Sequence, residues 1–313
     1  MYIIKKNPED FIVKERSIVQ PKDEGNYSYF ILKKKDWTTI GALEKIAGFL
    51  RIPLKSFGFA GTKDKAAVTE QVISIRVGYE KKLEKFRHKG IRLEFIGRSD
   101  EPVSLGDLEG NEFQITVRDA DNIPNKLDRF INYFGEQRFS SSNAEIGRAM
   151  IKDDFRKAAQ LADEPAVRAY LKDHPKNYAG ALKQLPKKIL MMYVHSYQSF
   201  IWNRTVKEFL EGKKPEEIRE TKNFSIPLVG FGTDYQSNRI EAIIKDILKK
   251  ENVTERDFII RKMPELSSEG GEREVFADVK DMKIEKKGVM TYKISFFLPK
   301  GCYATELIRQ MFE

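Results

Sequence analysis

Alternating apolar and polar residues predict a β-rich beginning for this chain of 313 residues. In a half-buried strand, successive side chains point to opposite faces, so apolar residues recur at every second position. The segments with this pattern are Phe11 to Glu15, Tyr27 to Lys33, Gln71 to Val77 and Glu112 to Arg118. Between the second and third of them, Thr38 and Thr39 can cap a helix that stops before Pro53.

Helical spacing replaces strand alternation in the middle of the chain. A helix is predicted to begin near Asn143, and others are predicted over Lys152 to Ala162, Pro165 to Lys172 and Ser196 to Glu211. After an extended segment at Ser225 to Gly232, an apolar stripe predicts one more helix, with Ile240, Ile243, Ile244, Ile247 and Leu248 on one side. We interpret these stripes as core.

Strand character returns near the C-terminus, where the apolar residues Tyr292, Ile294, Phe296 and Leu298 alternate along the chain. A turn at Pro299 to Gly301 and a short terminal helix follow. The β-rich ends around a helical middle predict an α+β fold, with one sheet-based domain built from both termini and a second domain inserted. We place the first part of the sheet domain at residues 1–149, the inserted domain at 150–266 and the last part at 267–313.

The charge balance favours a polyanionic partner, with nucleic acid first among them. Lysine and arginine number 56 against 47 aspartate and glutamate residues, which gives a net charge of +9. A lysine- and glutamate-rich surface suited to high temperature explains the same composition without a partner. Because the acidic residues are interspersed with the basic ones, charge alone does not decide between these explanations.

Several classes of protein lack support in this sequence. No apolar run has the length of a membrane span, and the N-terminus has no apolar signal-peptide core, so we expect a cytoplasmic protein without membrane attachment. Cys302 is the single cysteine, which excludes an internal disulfide. The three histidines lie far apart with no CxxC or HExxH motif, so no metal site is expected. Without a heptad pattern, we expect a monomer.

The segment from Gly58 to Gln71 contains the strongest candidate for catalysis. It places Asp64 between Lys63 and Lys65 in a glycine-punctuated turn just before a predicted strand. Glycine permits close backbone approach, and flanking cations favour the ionised form of a carboxylate. Such an aspartate is a candidate nucleophile or base. The alternative is a surface turn in which the Lys-Asp-Lys run is solvated.

Three further segments combine an aromatic ring with basic or amide groups, as recognition of an unstacked nucleobase requires. They are Asn7 to Phe11, Asn132 to Phe139 and Leu298 to Thr305. Each residue has a structural alternative when it is taken alone. Phe11 and Phe134 could be core residues, Tyr303 could cap a strand end, and Arg138 could form a surface ion pair.

Taken together and in this order, these segments resemble the TruD family of pseudouridine synthases. The strongest matches are Phe59 to Lys65 with Ala67 to Gln71, and Asn132 to Phe139; weaker ones are Leu105 to Phe113 and Leu298 to Thr305. Ser140 departs from the family pattern, which often has a glycine there, and the central region is short. The resemblance implies a mixed-sheet pseudouridine synthase catalytic domain interrupted by a helix-rich, family-specific domain.

The resemblance also implies the reaction. Family members isomerise uridine to pseudouridine in tRNA, chiefly at position 13 in the D arm, and they need no cofactor and no metal. An ionised carboxylate is required for that chemistry, so a basic partner is expected beside it.

Residue roles follow from the same resemblance. Asp64 matches the catalytic aspartate. Contacts to the target nucleotide are implied for Phe11, Asn132 and Tyr303, an aromatic position beside the base for Phe134, and nearby basic positions for Lys5, Lys63 and Arg138. One of these three basic residues is expected to lie close to Asp64.

Two other functions remain open at this point. A non-catalytic RNA-binding or tRNA-chaperone protein could keep the same fold, although such a protein would be expected to lose the aspartate or its loop. A metal-dependent nuclease would need clustered carboxylates. Asp153 and Asp154 are adjacent, but they lie near Arg156 and Lys157 in a predicted helix, which is typical of a solvated face.

Overall fold

The computed structural model describes residues 2–140 and 142–313, and it divides the chain into two compact units. The first unit is Met1–Phe130 with Ala277–Glu313, and the second is Ile131–Phe276. The chain therefore leaves the first unit once and returns to it once.

The strands and helices account for most of the described chain. The strands are β1 (Phe11–Ser17), β2 (Tyr27–Lys35), β3 (Gly58–Phe59), β4 (Val68–Arg76), β5 (Ile91–Ser99), β6 (Leu108–Val117), β7 (Arg129–Ile131), β8 (Ser225–Leu228), β9 (Gly271–Glu274), β10 (Phe276–Asp278), β11 (Lys280–Gly288) and β12 (Thr291–Pro299). The helices are α1 (Thr39–Leu50), α2 (Glu80–Leu83), α3 (Glu136–Phe139), α4 (Asn143–Ile151), α5 (Phe155–Ala162), α6 (Pro165–Asp173), α7 (Tyr178–Leu182), α8 (Lys187–Leu210), α9 (Pro215–Glu220), α10 (Asn238–Glu251) and α11 (Ala304–Met311).

A mixed sheet forms the first unit. Among the described residues its strand order is β11-β12-β6-β1-β4-β2-β5, and β3 also pairs with β4. The pairing of β1 with β4 is parallel, whereas the other neighbours in the sheet are antiparallel. The predicted α+β fold with a mixed sheet is confirmed.

Strand alternation places apolar side chains on one face of this sheet, where helices cover them. In one cluster, Phe11 and Val13 of β1 pack with Ile115 of β6 and with Leu307 and Ile308 of α11. A second cluster joins apolar residues of β2 and β4 to α1; it includes Phe30, Leu32, Ile73, Ile75, Leu43, Ile46 and Leu50. Burial of these two apolar clusters is the main force that holds the unit together.

The first helix confirms the prediction made for it. The Thr38 hydroxyl accepts a hydrogen bond from the Gly41 N–H, and α1 ends with Arg51 in the left-handed region at φ +61°. A residue in that conformation is a common helix stop. Thr39 is the first residue of α1 and is buried, and its hydroxyl donates to Gln71 of β4.

The two edge strands of the sheet, β5 and β11, were not predicted. Both carry many charged residues; β11 reads Lys-Asp-Met-Lys-Ile-Glu-Lys-Lys-Gly. Charged side chains on an edge strand discourage pairing with another chain. The same charges weaken the apolar alternation on which strand prediction depends.

Helices dominate the second unit, and α8 is the longest of those described. The predicted start of this helix at Ser196 is wrong, because it begins at Lys187. Leu190, Val194, Tyr197 and Trp202 are all buried along its length. A helix that is buried on several sides lacks the one-sided stripe by which its first turns could have been recognised.

The division into units depends on packing that the sequence pattern does not reveal. Helices α3 and α4 contact α8, and β9 pairs with β8, so these segments belong to the second unit. The boundaries predicted at 149/150 and 266/267 therefore both fall within the second unit of this division. None of the described helices combines the length and apolar character needed to cross a bilayer.

Two helical glycines give opposite predictions for the same substitution. A Cβ on Gly147 of α4 would lie 2.0 Å from the Tyr193 carbonyl oxygen of α8, whereas Gly48 on the exposed side of α1 has no neighbouring atom within 4 Å. We expect Gly147→Ala to lower the free energy of unfolding by about 1–3 kcal/mol, because the two helix backbones must separate. We expect Gly48→Ala to raise it by about 0.5–1 kcal/mol.

Urea denaturation of both variants and of the parent protein checks this pair. Alanine has the higher helix propensity at both positions, so propensity alone would stabilise both variants. A loss of stability in Gly147→Ala alone therefore reports the close approach of α4 to α8. A gain in stability for Gly147→Ala would contradict the close helix packing described here.

Candidate active site

The loop at residues 60–67 leads into β4 and presents Asp64 to solvent. The Asp64 side chain is 37% exposed, and its Oδ2 accepts a hydrogen bond from the Lys5 Nζ at 2.6 Å. An ammonium that donates to a carboxylate makes a short, charge-assisted hydrogen bond. Lys5 thus supplies the basic partner that was expected beside Asp64.

Lys5 itself is held over an aromatic ring. Its Nζ lies 4.1 Å from the centroid of the Phe11 ring, within the range of a cation–π interaction. Its backbone adopts φ +58°, a left-handed conformation that is uncommon for a residue other than glycine. Phe11 is 3% exposed and belongs to the core of the first unit, so its ring is a fixed base beneath the lysine.

Buried side chains fix the backbone of the loop just before Asp64. The Thr39 hydroxyl accepts from the Lys63 N–H at 2.9 Å and donates to the Gln71 Oε1 at 2.8 Å. The Gln71 Nε2 in turn donates to the Gly61 carbonyl at 2.8 Å. Thr39 and Gln71 are both buried, so water does not compete for these bonds.

Lys34 holds the peptide of Asp64 itself. Its Nζ donates to the backbone carbonyl of Asp64 at 2.7 Å. Lys34 pairs with Thr69 across β2 and β4, and Thr69 pairs with Val13 across β4 and β1. Since directly paired residues point to the same face of a sheet, Lys34 lies on the covered face, beside the apolar clusters.

A buried ion pair anchors Lys63. Its Nζ lies 2.5 Å from the Glu15 Oε2, and the Glu15 side chain is fully buried. The Glu15 Oε1 also accepts from the Val72 N–H at 3.2 Å. Lys63 is therefore directed into the protein in this structure, and its predicted contact with a substrate stays a prediction.

The second unit holds the other group of predicted residues, Asn132, Phe134 and Arg138. Asn132 is buried, and its Oδ1 accepts from the Arg273 Nη2 at 2.6 Å. Arg273 also donates from Nε and Nη2 to the Asn132 backbone carbonyl, at 3.0 and 2.9 Å. Asn132 is thus oriented by an arginine that the sequence analysis did not identify.

Phe134 is enclosed by packed side chains. Its ring meets the Trp202 ring nearly at a right angle with centroids 5.6 Å apart, and the Arg273 guanidinium lies 4.1 Å from its centroid. Asn203 bonds both the backbone N–H and the carbonyl of Phe134. Phe134 is 8% exposed, so the core interpretation describes its present environment well.

Arg138 lies in α3 near the same ring, with its guanidinium 5.8 Å from the Phe134 centroid. Its Nε donates to the Ser199 hydroxyl at 3.3 Å. Burial, together with the charge of Arg138, lowers the pKa of His195. The nearby Ser140 adopts φ +33°, in the region that favours glycine, at the position where the resembled family often has one.

Tyr303 stands at the junction of β12 and α11 in the first unit and is half-buried. Its carbonyl accepts from the N–H groups of Glu306 and Leu307, so its backbone forms the N-terminal cap of α11. The structure thus places Asp64, Lys5, Lys63, Phe11 and Tyr303 in one unit and Asn132, Phe134 and Arg138 in the other.

Strand parity contains a signal for two residues that the sequence analysis missed. Phe11 and Val13 face the core, so Glu15 two residues later must face it too. The same parity carries Lys34 inward after Leu32. A charged residue at a core position is rarely left unpaired, which marks both as members of a polar network. For Arg273, no comparable local signal exists.

Among the described residues, no three His, Cys, Asp or Glu side chains converge where they could hold a metal ion.

Comparison with known proteins gives one family throughout the chain. The family model described as tRNA pseudouridine synthase D (TruD) matches residues 2–162, 160–222 and 211–311. The chain is 32% identical to the tRNA pseudouridine synthase D of Aquifex aeolicus, covering 99% of this chain and 97% of that one. It is 34% identical to a protein of Nanoarchaeum equitans named as a probable tRNA pseudouridine synthase D, with 99% and 98% covered.

A solved structure shares this fold. The match is a crystal structure from Methanosarcina mazei, described as a candidate tRNA pseudouridine synthase D (TruD). It has a TM-score of 0.74 and 29% sequence identity, and the match covers 99% of this chain and 93% of the other.

The buried pair of Glu15 and Lys63 yields a test of loop anchoring. Glu15→Gln keeps an acceptor for the Val72 N–H but leaves the Lys63 ammonium buried without its carboxylate. We expect a loss of about 3–5 kcal/mol in the free energy of unfolding. Adding Lys63→Met removes the orphaned charge, so the double variant should recover most of that loss.

A double-mutant cycle measured by urea denaturation checks this expectation. Arg16 and Glu112, an exposed pair at 2.8 Å between β1 and β6, serve as the matched control. Their coupling energy should stay below about 1 kcal/mol. Equal coupling energies in the two cycles would mean that Lys63 is not anchored by burial of this pair.

Proposed function

The chain belongs to the TruD family of tRNA pseudouridine synthases, and we propose that it isomerises uridine 13 in the D arm of tRNA with Asp64 as its catalytic residue. The single observation that carries this proposal is the Asp64 carboxylate: it is accessible, it is paired with Lys5, and its loop backbone is bonded by buried side chains. A surface turn of solvated residues has no need of such anchoring.

The reaction exchanges one glycosidic bond for another within the same nucleotide. The N1–C1′ bond breaks, the detached uracil turns, and C5 forms the new bond to C1′. The proton on C5 is then lost and N1 gains one, so the product is an isomer of the substrate. A carboxylate can support the electron-poor sugar in the first part and accept the C5 proton in the second.

Fixed geometry is what the surrounding residues contribute to this chemistry. Lys5 binds one carboxylate oxygen of Asp64, and Phe11 holds Lys5 from below. The loop backbone is held independently by Thr39 and Lys34. A reacting group that is already oriented avoids the entropic cost of finding its position, and a misplacement of 1 Å can reduce the rate by about 10².

Contacts with the substrate nucleotide are proposed for each unit separately, residue by residue. In the second unit, the Asn132 Oδ1 is engaged by Arg273, and the Asn132 Nδ2 donates one long hydrogen bond, of 3.4 Å, to the Glu274 carbonyl. An amide nitrogen has two hydrogens, so we propose that the second donates to a uracil carbonyl. Phe134 is proposed as the aromatic group beside the base, and Arg138 as a nearby cation. In the first unit, Phe11, Tyr303, Lys5 and Lys63 are the proposed nucleotide contacts.

Release of tritium from C5 of uridine tests the role of Asp64. The parent protein should release tritium from a C5-tritiated tRNA transcript in the presence of EDTA. Asp64→Asn should retain tRNA binding but lower the single-turnover rate by about 10²–10⁴, because the base or nucleophile is removed. Asp100→Asn is the matched control; Asp100 pairs with Lys22 at 3.6 Å on the surface and should leave the rate unchanged.

The same assay separates the alternatives. Strand scission would indicate a nuclease, and tRNA binding with neither scission nor tritium release would indicate a non-catalytic binder. A transcript with cytidine at position 13 should release no tritium if that uridine is the target. Parent-level turnover by Asp64→Asn would remove this residue from the proposed role.

A leucine at position 134 distinguishes stacking on the base from core packing. Phe134→Leu keeps most of the buried volume, so we expect it to cost less than about 1.5 kcal/mol of unfolding free energy. If the ring contacts the base, kcat/KM should also fall, by an amount that corresponds to about 1–3 kcal/mol of lost transition-state stabilisation. Phe258, fully buried in the same unit, provides the control: Phe258→Leu should affect stability alone.

A further inference from the structure

The three consecutive lysines of β2 have different environments. Lys33 pairs with Glu94 at 3.0 Å, Lys35 pairs with Glu9, and their side chains are 40% and 47% exposed. Lys34, between them, is 2% exposed. Strand alternation turns it to the covered face, where an ammonium is costly unless it binds something.

The charged neighbours of Lys34 come from the 60–67 loop. Three effects together lower the pKa of Lys34 to about 8: burial lowers it most, the charge of Asp64 acts in the opposite direction, and the charge of Lys63 adds to the lowering. Lys63 is itself paired with Glu15 of β1, and Asp64 with Lys5. Lys34 is therefore mostly protonated at pH 7 and loses its charge as the pH rises through about 8.

Lys34 differs from the other groups that hold the loop. Thr39 and Gln71 are neutral, and they bond to the backbone at Lys63 and Gly61. Lys34 bonds to the carbonyl of Asp64 itself and brings a positive charge next to the residue that carries the carboxylate. A charge-assisted hydrogen bond is roughly twice as strong as a neutral one.

We propose that Lys34 is a positioning residue for Asp64 and that the loss of its charge sets the alkaline limit of the reaction. This inference rests on the proposed function of Asp64. When Lys34 is deprotonated, its amine still reaches the Asp64 carbonyl, but the charge-assisted bond becomes a neutral one. The direction of the Asp64 side chain is then less firmly fixed.

The sign of the effect on stability is opposite to the sign of the effect on activity. Because the pKa of Lys34 in the folded state is below its ordinary value of 10.5, the unfolded chain binds more protons between about pH 8 and 10.5. The free energy of unfolding contributed by this group therefore rises across that window. Activity falls over the same range if the charge positions Asp64.

Single-turnover tritium release between pH 6.5 and 9.5 tests the proposal in the full-length protein. In the parent protein, the rate should fall about tenfold per pH unit above a pKa near 8. Lys34→Met, which removes the charge, should be about 100-fold slower at pH 7 and insensitive to pH through this range. Lys34→Arg retains a charge at every pH used and should lose the alkaline decline.

Lys33→Met is the matched control, because it removes a neighbouring charge from the exposed face of the same strand. It should reproduce the parent profile, including any decline that comes from titration of the RNA. Thermal unfolding at pH 7 excludes a folding defect: Lys34→Met should be no less stable than the parent, since it removes a buried charge.

The outcomes distinguish the two proposals. If the parent protein releases no tritium, the proposed function fails whatever Lys34 does. If the parent is active and Lys34→Met keeps its rate and its alkaline decline, Lys34 is not the positioning residue. The inference is also overturned if Lys34→Arg keeps the alkaline decline, or if the parent protein shows no decline. Neither of these two outcomes depends on whether Lys34→Met folds.

Discussion

A carboxylate that must reach a substrate cannot be fixed by burying it, so its backbone has to be fixed instead. Asp64 shows how this constraint is met. Its side chain stays accessible, while Lys34, Thr39 and Gln71 bond to the loop from the covered face of the sheet.

Placing charges on a covered sheet face is costly, and the structure offsets that cost with close pairing. Glu15 forms an ion pair with Lys63, and Lys34 donates a hydrogen bond to the Asp64 carbonyl. On the same face, the apolar clusters that include α1 and α11 bury hydrophobic surface, and this burial stabilises the unit where the polar network does not. The Lys63–Glu15 pair therefore attaches the loop to β1, and the Lys34 hydrogen bond attaches it to β2.

Arginine and aromatic packing organise the corresponding residues of the second unit. Arg273 bonds the Asn132 side chain and lies over the Phe134 ring, and Trp202 supports that ring from the long helix α8. The amide and the ring are thus oriented by the same guanidinium. In both units, then, a residue suggested by sequence is oriented by a basic residue that lies far from it along the chain.

Sequence reasoning succeeded where the information is local. The alternation in β1, the Thr38 cap of α1 and the apolar side of α11 each follow from residues within a few positions of one another. The motif around Asp64 is equally local, and it identified both the family and the expectation of a basic partner. Helix α8 and the charged edge strands were missed in whole or in part, because burial on several sides and edge charges both weaken a periodic pattern.

Tertiary structure alone decided which partner each of these residues takes. Asp64 is separated from Lys5 by 59 positions, Lys63 from Glu15 by 48, and Asn132 from Arg273 by 141. Periodicity indicates which face a side chain points to, as it does for Glu15 and Lys34. It does not indicate which residues that side chain contacts there. Partners so far apart are set by strand order and helix packing, which depend on contacts across the whole chain and not on any short segment of it.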